Sequence, residues 1–265
     1  PRSRKGKDPN LDARYNHLIL LAKNNDGYKN LAKLVSLGYT EGFYYKPRID
    51  KEALEQYHEN LICCSACLAG EVNQAILKNN MEEAKKVALW FKKLFGEDYY
   101  LEIQNNGIKE QVLVNQKLIE LSRELDIPLV ATNDAHYLKR EDAYNHEVLL
   151  CIQTGKKMSD EDRMKFETDE LYVKSPEEMS DYFKNVPEAI ENTVKIAEKC
   201  NVEFEFGHTI LPNYDVPEEF ETHYDYLKKV CDDGIKNRYG ENPTKEILER
   251  AELERREKKK DEKKG

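Results

Sequence analysis

The tetrad Asn133-Asp134-Ala135-His136 sets a carboxylate and an imidazole two residues apart. It follows Pro128-Leu129-Val130-Ala131-Thr132, an apolar run that reads as a strand, and two such groups at a strand end can converge on one divalent ion. The other reading is that Asp134 caps the next helix while His136 sits at the surface. On these residues alone both stay open. Cys67 follows a second apolar run, Leu61-Ile62-Cys63-Cys64, within Ser65-Ala66-Cys67-Leu68-Ala69-Gly70-Glu71. A thiolate there can reach the same ion; a small buried hydrophobe is the alternative. Cys64-Ser65-Ala66-Cys67 also has C-x-x-C spacing, but no second pair completes a structural zinc site, and a thioredoxin-like role is discounted. His17 lies in Tyr15-Asn16-His17-Leu18-Ile19-Leu20, at the start of its own strand rather than the end, so a core or loop histidine competes with a ligand. Glu102 lies inside Tyr99-Tyr100-Leu101-Glu102-Ile103, where an inward carboxylate needs a partner or a metal; it could equally face solvent beside Gln104. His58, His146, His208 and His223 read as surface residues.

The elements that position these groups are legible in outline. Leu18-Ile19-Leu20-Leu21-Ala22 predicts a buried strand, and Asp26 is expected to cap an amphipathic helix carrying Leu31, Leu34 and Val35 before Gly38. The Leu61 strand is followed by helical patterns through Ala75-Ile76-Leu77 and then Met81 to Phe95, which Gly96 stops. The Tyr99 strand precedes a helix from Glu110 to Leu125, and the Leu129 strand a helix near Glu141 to Ile152. Four consecutive strand-helix units predict an α/β fold with a parallel sheet, open or closed as a barrel, whose chemistry gathers at strand ends. From about Gly155 the pattern becomes mostly helical. Ser175-Pro176-Glu177-Glu178 is a helix start and Pro187 to Cys200 a helix. A loop is expected over Leu211-Pro212-Asn213-Tyr214-Asp215-Val216-Pro217, a helix from Glu219 to Tyr239, and a charged helix or tail from Arg250 to Lys264.

A chain of 265 residues with 39% hydrophobic content can bury one or two ordinary cores. Its formal net charge of −9 argues against a broad basic face for gripping duplex DNA. The six cysteines are scattered rather than dense, as suits reduced thiols. No apolar run approaches the length of a membrane span or a secretory signal, so a cytoplasmic protein without a membrane partner is expected. The opening Pro1-Arg2-Ser3-Arg4 carries no initiator Met, and an upstream part is expected to be missing.

Four segments in order, His17-Leu18-Ile19-Leu20-Leu21-Ala22-Lys23-Asn24, Gly42-Phe43-Tyr44-Tyr45-Lys46-Pro47-Arg48-Ile49-Asp50, Ser65 to Glu71 and Ala131-Thr132-Asn133-Asp134-Ala135-His136-Tyr137, resemble bacterial DNA polymerase III alpha subunits. The likeness continues through Asp160-Glu161-Asp162-Arg163-Met164, Phe166-Glu167-Thr168-Asp169-Glu170 and Ser175 to Met179, reaching Arg238-Tyr239-Gly240 and about Leu253. It implies a partial PHP-type distorted (β/α) barrel over residues 1–154, a helical connection toward a polymerase domain over 155–240, and a charged helix or tail over 241–265.

The same resemblance places His17, Cys67, Asp134 and His136 on metal-ligand positions, with Glu102 a possible addition and zinc or manganese as the metal. The family's upstream H-x-H, I-T-D-H and G-x-E motifs have no counterpart here, nor do its magnesium-binding palm carboxylates. The implied parent extends primer-template DNA with deoxynucleotides, beside a proofreading exonuclease and a sliding clamp, while the piece itself is expected to be inactive. The alternatives are a stand-alone PHP phosphoesterase and a purely structural or docking module.

Overall fold

A computed structural model describes residues 3–209 and 214–261 and divides the chain into two compact units, Pro1–Phe204 and Glu205–Gly265. The first unit begins with β1 (Ile19–Ala22), and α1 (Asn25–Thr40) follows almost at once. Asn24 makes the switch: its backbone is extended, and its side-chain oxygen accepts from the N–H groups of Asp26 at 3.1 Å and Gly27 at 3.0 Å. The cap is therefore Asn24 rather than Asp26, because a capping oxygen must precede the orphan N–H groups it serves. Asp26 sits in the first turn, paired with Lys29. The helix also runs past Gly38, where the sequence suggested a stop.

An element not foreseen comes next. Asp50 accepts from the Ala53 N–H at 3.0 Å and starts α2 (Lys51–Tyr57), which buries Ala53 and Leu54. Then β2 (Leu61–Cys64) enters beside the point where β1 ended: Lys23 N–H donates to the Asn60 carbonyl at 2.9 Å, and Asn24 Nδ2 to Asn60 Oδ1 at 3.1 Å. Residues 24–60 thus leave and re-enter the sheet at one end, α1 leading away and α2 leading back. The consequence is that β1 pairs with β2 antiparallel, Ile19 opposite Cys64 and Ala22 opposite Leu61. The all-parallel sheet expected from sequence is corrected at this strand.

The remaining strands do run parallel. After α3 (Glu71–Leu77) and α4 (Met81–Phe95) the chain forms β3 (Tyr99–Gln104), then α5 (Lys109–Leu125), then β4 (Leu129–Thr132). β3 lies parallel to β2, and β4 pairs in parallel register with β3, Glu102 opposite Val130 and Gln104 opposite Thr132. The result is a mixed α/β unit with an open four-stranded sheet ordered β1-β2-β3-β4. Alternation along the strands sorts the two faces. Leu61, Cys63, Tyr99, Leu101, Ile103, Leu129 and Ala131 join the main core with Leu34, Val87, Phe91, Val114 and Leu118. Ile62, Cys64, Tyr100 and Val130 face the other way.

Part of that second face is covered by a later helix. α6 (Ala143–Thr154) precedes a long irregular stretch, α7 (Pro176–Tyr182) starts from a capping box between Ser175 and Glu178, and α8 (Pro187–Lys199) brings Ile196 onto the face. Asn192 Nδ2 donates to the Leu129 carbonyl at 2.8 Å. In the second unit, α9 (His223–Tyr239) and α10 (Lys245–Asp261) are joined by the half-buried network in which Arg255 pairs with Asp232 at 2.6 Å. The loop expected over residues 211–217 lies outside the described residues at 211–213.

Asp98, just ahead of β3, ties three elements together. It accepts from Lys23 Nζ after β1 at 2.6 Å and from Lys199 Nζ at the end of α8 at 2.8 Å. Burial alone would push its carboxyl up, but these two ammonium groups outweigh burial and hold it below the usual carboxylate range. A depressed carboxyl contributes stability that is present above its unfolded value near about 4 and lost as pH falls through the folded value. We predict that Asp98→Asn lowers unfolding free energy by about 1–2 kcal/mol at pH 7. The difference from wild type should shrink as pH falls from about 4 through the lower folded value; denaturant titrations at pH 7 and through that fall check it, and a pH-independent difference would contradict it.

Candidate metal centre

The loop after β2 is built to present Cys67. Ala66 takes a left-handed backbone, φ 65°, and Gly70 closes the turn so tightly that a Cβ there would sit 2.0 Å from the Ser65 carbonyl oxygen. The first turn of α3 grips the loop: Asn73 Nδ2 donates to the carbonyls of Ala66 at 3.0 Å and Cys67 at 2.7 Å, and Gln74 Nε2 to that of Leu68 at 2.8 Å. His17 N–H donates to the Ala69 carbonyl at 3.0 Å, clipping the start of β1 onto the same loop.

Because β1 is antiparallel to β2, its start lies where β2 and the other parallel strands end. This resolves the geometric objection to His17. Cys67 Sγ and His17 Nδ1 stand 3.4 Å apart, although fifty residues separate them in sequence. Both line a pocket of about 460 Å³ together with Glu102, Gln104, Thr132 and Asp134.

Glu102 does not face solvent: it is 5% exposed, on the second face of a strand whose every residue is buried. A central strand with both faces covered has no wet side, which is why the alternation misled. Its N–H donates to Ser65 Oγ at 2.8 Å, and its Oε1 accepts from Thr132 Oγ1 at 2.6 Å and Gln104 Nε2 at 3.1 Å. Glu102 Oε2 and Gln104 Oε1 remain buried without a hydrogen-bond partner.

Asp134 follows β4 in a left-handed backbone, φ 56°, and reaches the pocket lining. His136, two residues on, is not brought to that lining. Its ring packs against Phe166 and His146, with centroids 5.1 and 5.7 Å away. Its Nδ1 stands 2.8 Å from the Asp134 carbonyl oxygen. In the tautomer that donates this bond the lone pair is on Nε2, the tautomer control by which a backbone carbonyl prepares a histidine to ligate a metal. Among the described residues, no three His, Cys, Asp or Glu side chains stand close enough together to hold an ion as they are placed.

Residues 4–106 match the family model of the PHP domain. The chain is 55% identical over 236 residues to the DNA polymerase III subunit alpha of Borreliella burgdorferi, which spans 89% of this chain and 20% of that protein. It is 45% identical to that of Treponema pallidum over 92% of the chain and 21% of the relative, and 40% identical to that of Aquifex aeolicus over 96% and 23%. The chain is a homologue of the PHP region of bacterial DNA polymerase III alpha subunits. It spans about a fifth of the length of these relatives. Within this PHP region, the PHP match itself covers His17, Cys67 and Glu102, while Asp134 and His136 lie beyond it.

The electrostatics of this pocket are one-sided. Among the described residues that line it there is no lysine or arginine. Burial pushes the Cys67 thiol up, and the Asp134 and Glu102 carboxylates push it further. Burial, helped by the Asp134 charge, also raises the Glu102 carboxyl, against the lowering effect of hydrogen bonds from Thr132, Gln104 and the Ala66 N–H. A cation in the pocket would reverse both. The donor set of imidazole, thiol and carboxylates, with an orphaned buried oxygen, fits a divalent metal in chemistry.

Sequence reasoning missed Gln104, Thr132 and Ser65, which anchor Glu102. The signal was available as period two: 100, 102 and 104 share one face of β3, and 130 and 132 the matching face of β4. A raised carboxyl penalises the fold once it ionises, above its unfolded value near about 4.3, and costs nothing below it. We predict that metal-free Glu102→Gln, which keeps the shape of the side chain without its charge, melts above wild type at pH 7, and that the gain vanishes toward pH 4. Calorimetry across that range checks it, and a variant less stable than wild type at pH 7 would contradict it.

Proposed function

We propose that the chain supplies part of the metal-binding PHP domain of a DNA polymerase III alpha subunit, with His17, Cys67, Asp134 and His136 as metal donors and Glu102 as an additional one. The observation that carries the reading is the meeting of His17 and Cys67 at 3.4 Å in a pocket that Glu102 and Asp134 also line. The nitrogen and sulfur donors suit zinc, and the carboxylates manganese. Such an ion supplies Lewis-acid polarisation of a phosphoryl oxygen. The chain's own residues hold the donors: the Ala69 carbonyl fixes His17, Asn73 fixes the Cys67 loop, and Thr132 with Gln104 orients Glu102.

On this reading the open sheet is a portion of a distorted (β/α) barrel over residues 1–154, residues 155–240 connect toward a polymerase domain, and 241–265 form a charged helix. The parent extends primer-template DNA with deoxynucleotides and magnesium, beside a proofreading exonuclease and a sliding clamp. We assign no nucleotidyl-transfer residue to this chain itself. No helix among the described residues is long and apolar enough to cross a membrane, and the proposed setting is the cytoplasm.

The test is metal content. After loading with zinc or manganese and gel filtration, elemental analysis of the chain is expected to give bound metal, and Asp134→Ala/His136→Ala to lose part or all of it while keeping its circular dichroism. Unchanged stoichiometry in the folded double variant would remove Asp134 and His136 from the site.

A further inference from the structure

We propose that Lys174 is a positioning residue that holds the Asp134–His136 turn at the pocket, an inference that rests on the metal reading above. The Lys174 side chain is fully buried, 0% exposed, in the segment just before the capping box of α7. Its Nζ donates to the Glu170 carbonyl and to Asn133 Oδ1 at 3.3 Å, lies 3.8 Å from the Glu170 carboxylate, and stands over the Tyr172 and Tyr182 rings at 4.6 and 5.7 Å from their centroids. A buried ammonium is costly unless it is paired and hydrogen-bonded. Burial accordingly pushes its pKa down.

What the ammonium secures is Asn133. That amide is held at both ends, its oxygen by Lys174 and its Nδ2 by the Tyr172 carbonyl at 2.8 Å. On the far side of the turn, His136 N–H donates to the Leu171 carbonyl at 2.7 Å. Asp134 sits between these two anchors with φ 56°, a conformation that costs energy for a residue with a Cβ and persists when the surroundings fix it. The side chain of Asp134 reaches the pocket because its neighbours on both sides are tied to residues 171–174. An apolar chain at 174 would fill the same space and leave Asn133 Oδ1 and the Glu170 carbonyl without their donor.

The experiment compares the whole chain with Lys174→Met and Lys174→Arg, with two readouts. In metal-free protein, amide exchange at 133–137 is expected to accelerate in Lys174→Met and not in Lys174→Arg, with the amides of β3 unchanged. Zinc affinity, by competition with a chromophoric chelator, is expected to fall about 10–100-fold in Lys174→Met and to recover in Lys174→Arg, as for other residues that orient metal ligands. If Lys174→Met does not fold, Asn133→Ser cuts the same link from the other side and is read by the same two measurements. Unaltered exchange at 133–137, or unaltered zinc affinity with altered exchange, would overturn the positioning role. A wild-type chain that binds no zinc counts against the metal reading instead, and the exchange data alone then decide whether Lys174 orders the turn.

Discussion

The direction of β1 governs the chemistry of this unit. Four residue pairs in register, from Ile19 opposite Cys64 to Ala22 opposite Leu61, fix it antiparallel to its neighbour. Had β1 run parallel, His17 would stand at the foot of the sheet, a strand's length from Cys67. Reversed, it reaches the strand ends, where parallel α/β sheets collect their functional groups. The reversal is imposed by residues 24–60, whose two ends are stitched together by Lys23, Asn24 and Asn60. The apolar contacts of Leu34 and Leu54 seat α1 and α2 on the main core. A hydrophobic layer on one face of the sheet thereby decides which polar groups meet at its end.

The other face shows what that meeting costs. Glu102, Gln104 and Thr132 alternate with core residues on the parallel strands β3 and β4, so their side chains must fall on the thinner layer beside Cys64 and Val130. A carboxylate buried there with one oxygen unpaired, beside a second carboxylate and a thiol, is a destabilised arrangement in the absence of a cation. Groups arranged against stability in a pocket mark a functional site. The charge that would relieve the Glu102 and Asp134 carboxylates and lower the Cys67 thiol is positive, and the donors suit a divalent metal.

Much of this was legible in the residues. Short apolar or alternating runs located all four strands, Gly96 marked the end of α4 and Ser175-Pro176 and Pro187 the starts of α7 and α8, while Asp26 and Gly38 misplaced both ends of α1. Strand direction was not legible, because it depends on whether a connection returns to its starting end. Here that turned on α2, whose Lys-Glu-Ala-Leu-Glu-Gln-Tyr has only two fully buried residues and gives little periodicity over seven positions. The local pattern found the groups His17, Cys67 and Asp134, but the convergence of His17 with Cys67 came from pairing at long range. His136 differs again: its spacing from Asp134 suggested a shared target, and its ring packs against Phe166 and His146 rather than among the residues that line the pocket. Lys174 gave no signal at all, since burial of a lysine is a tertiary fact.

The central claim is that strand reversal makes His17 and Cys67 a single metal-binding pair. Cobalt(II) reports it directly, because a thiolate ligand gives a charge-transfer band that nitrogen and oxygen ligands do not. The account predicts such a band in the cobalt-loaded chain, its loss in Cys67→Ser, and a weaker cobalt affinity with a shifted band in His17→Ala. Cobalt binding without a thiolate band, or a band indifferent to His17→Ala, would contradict it.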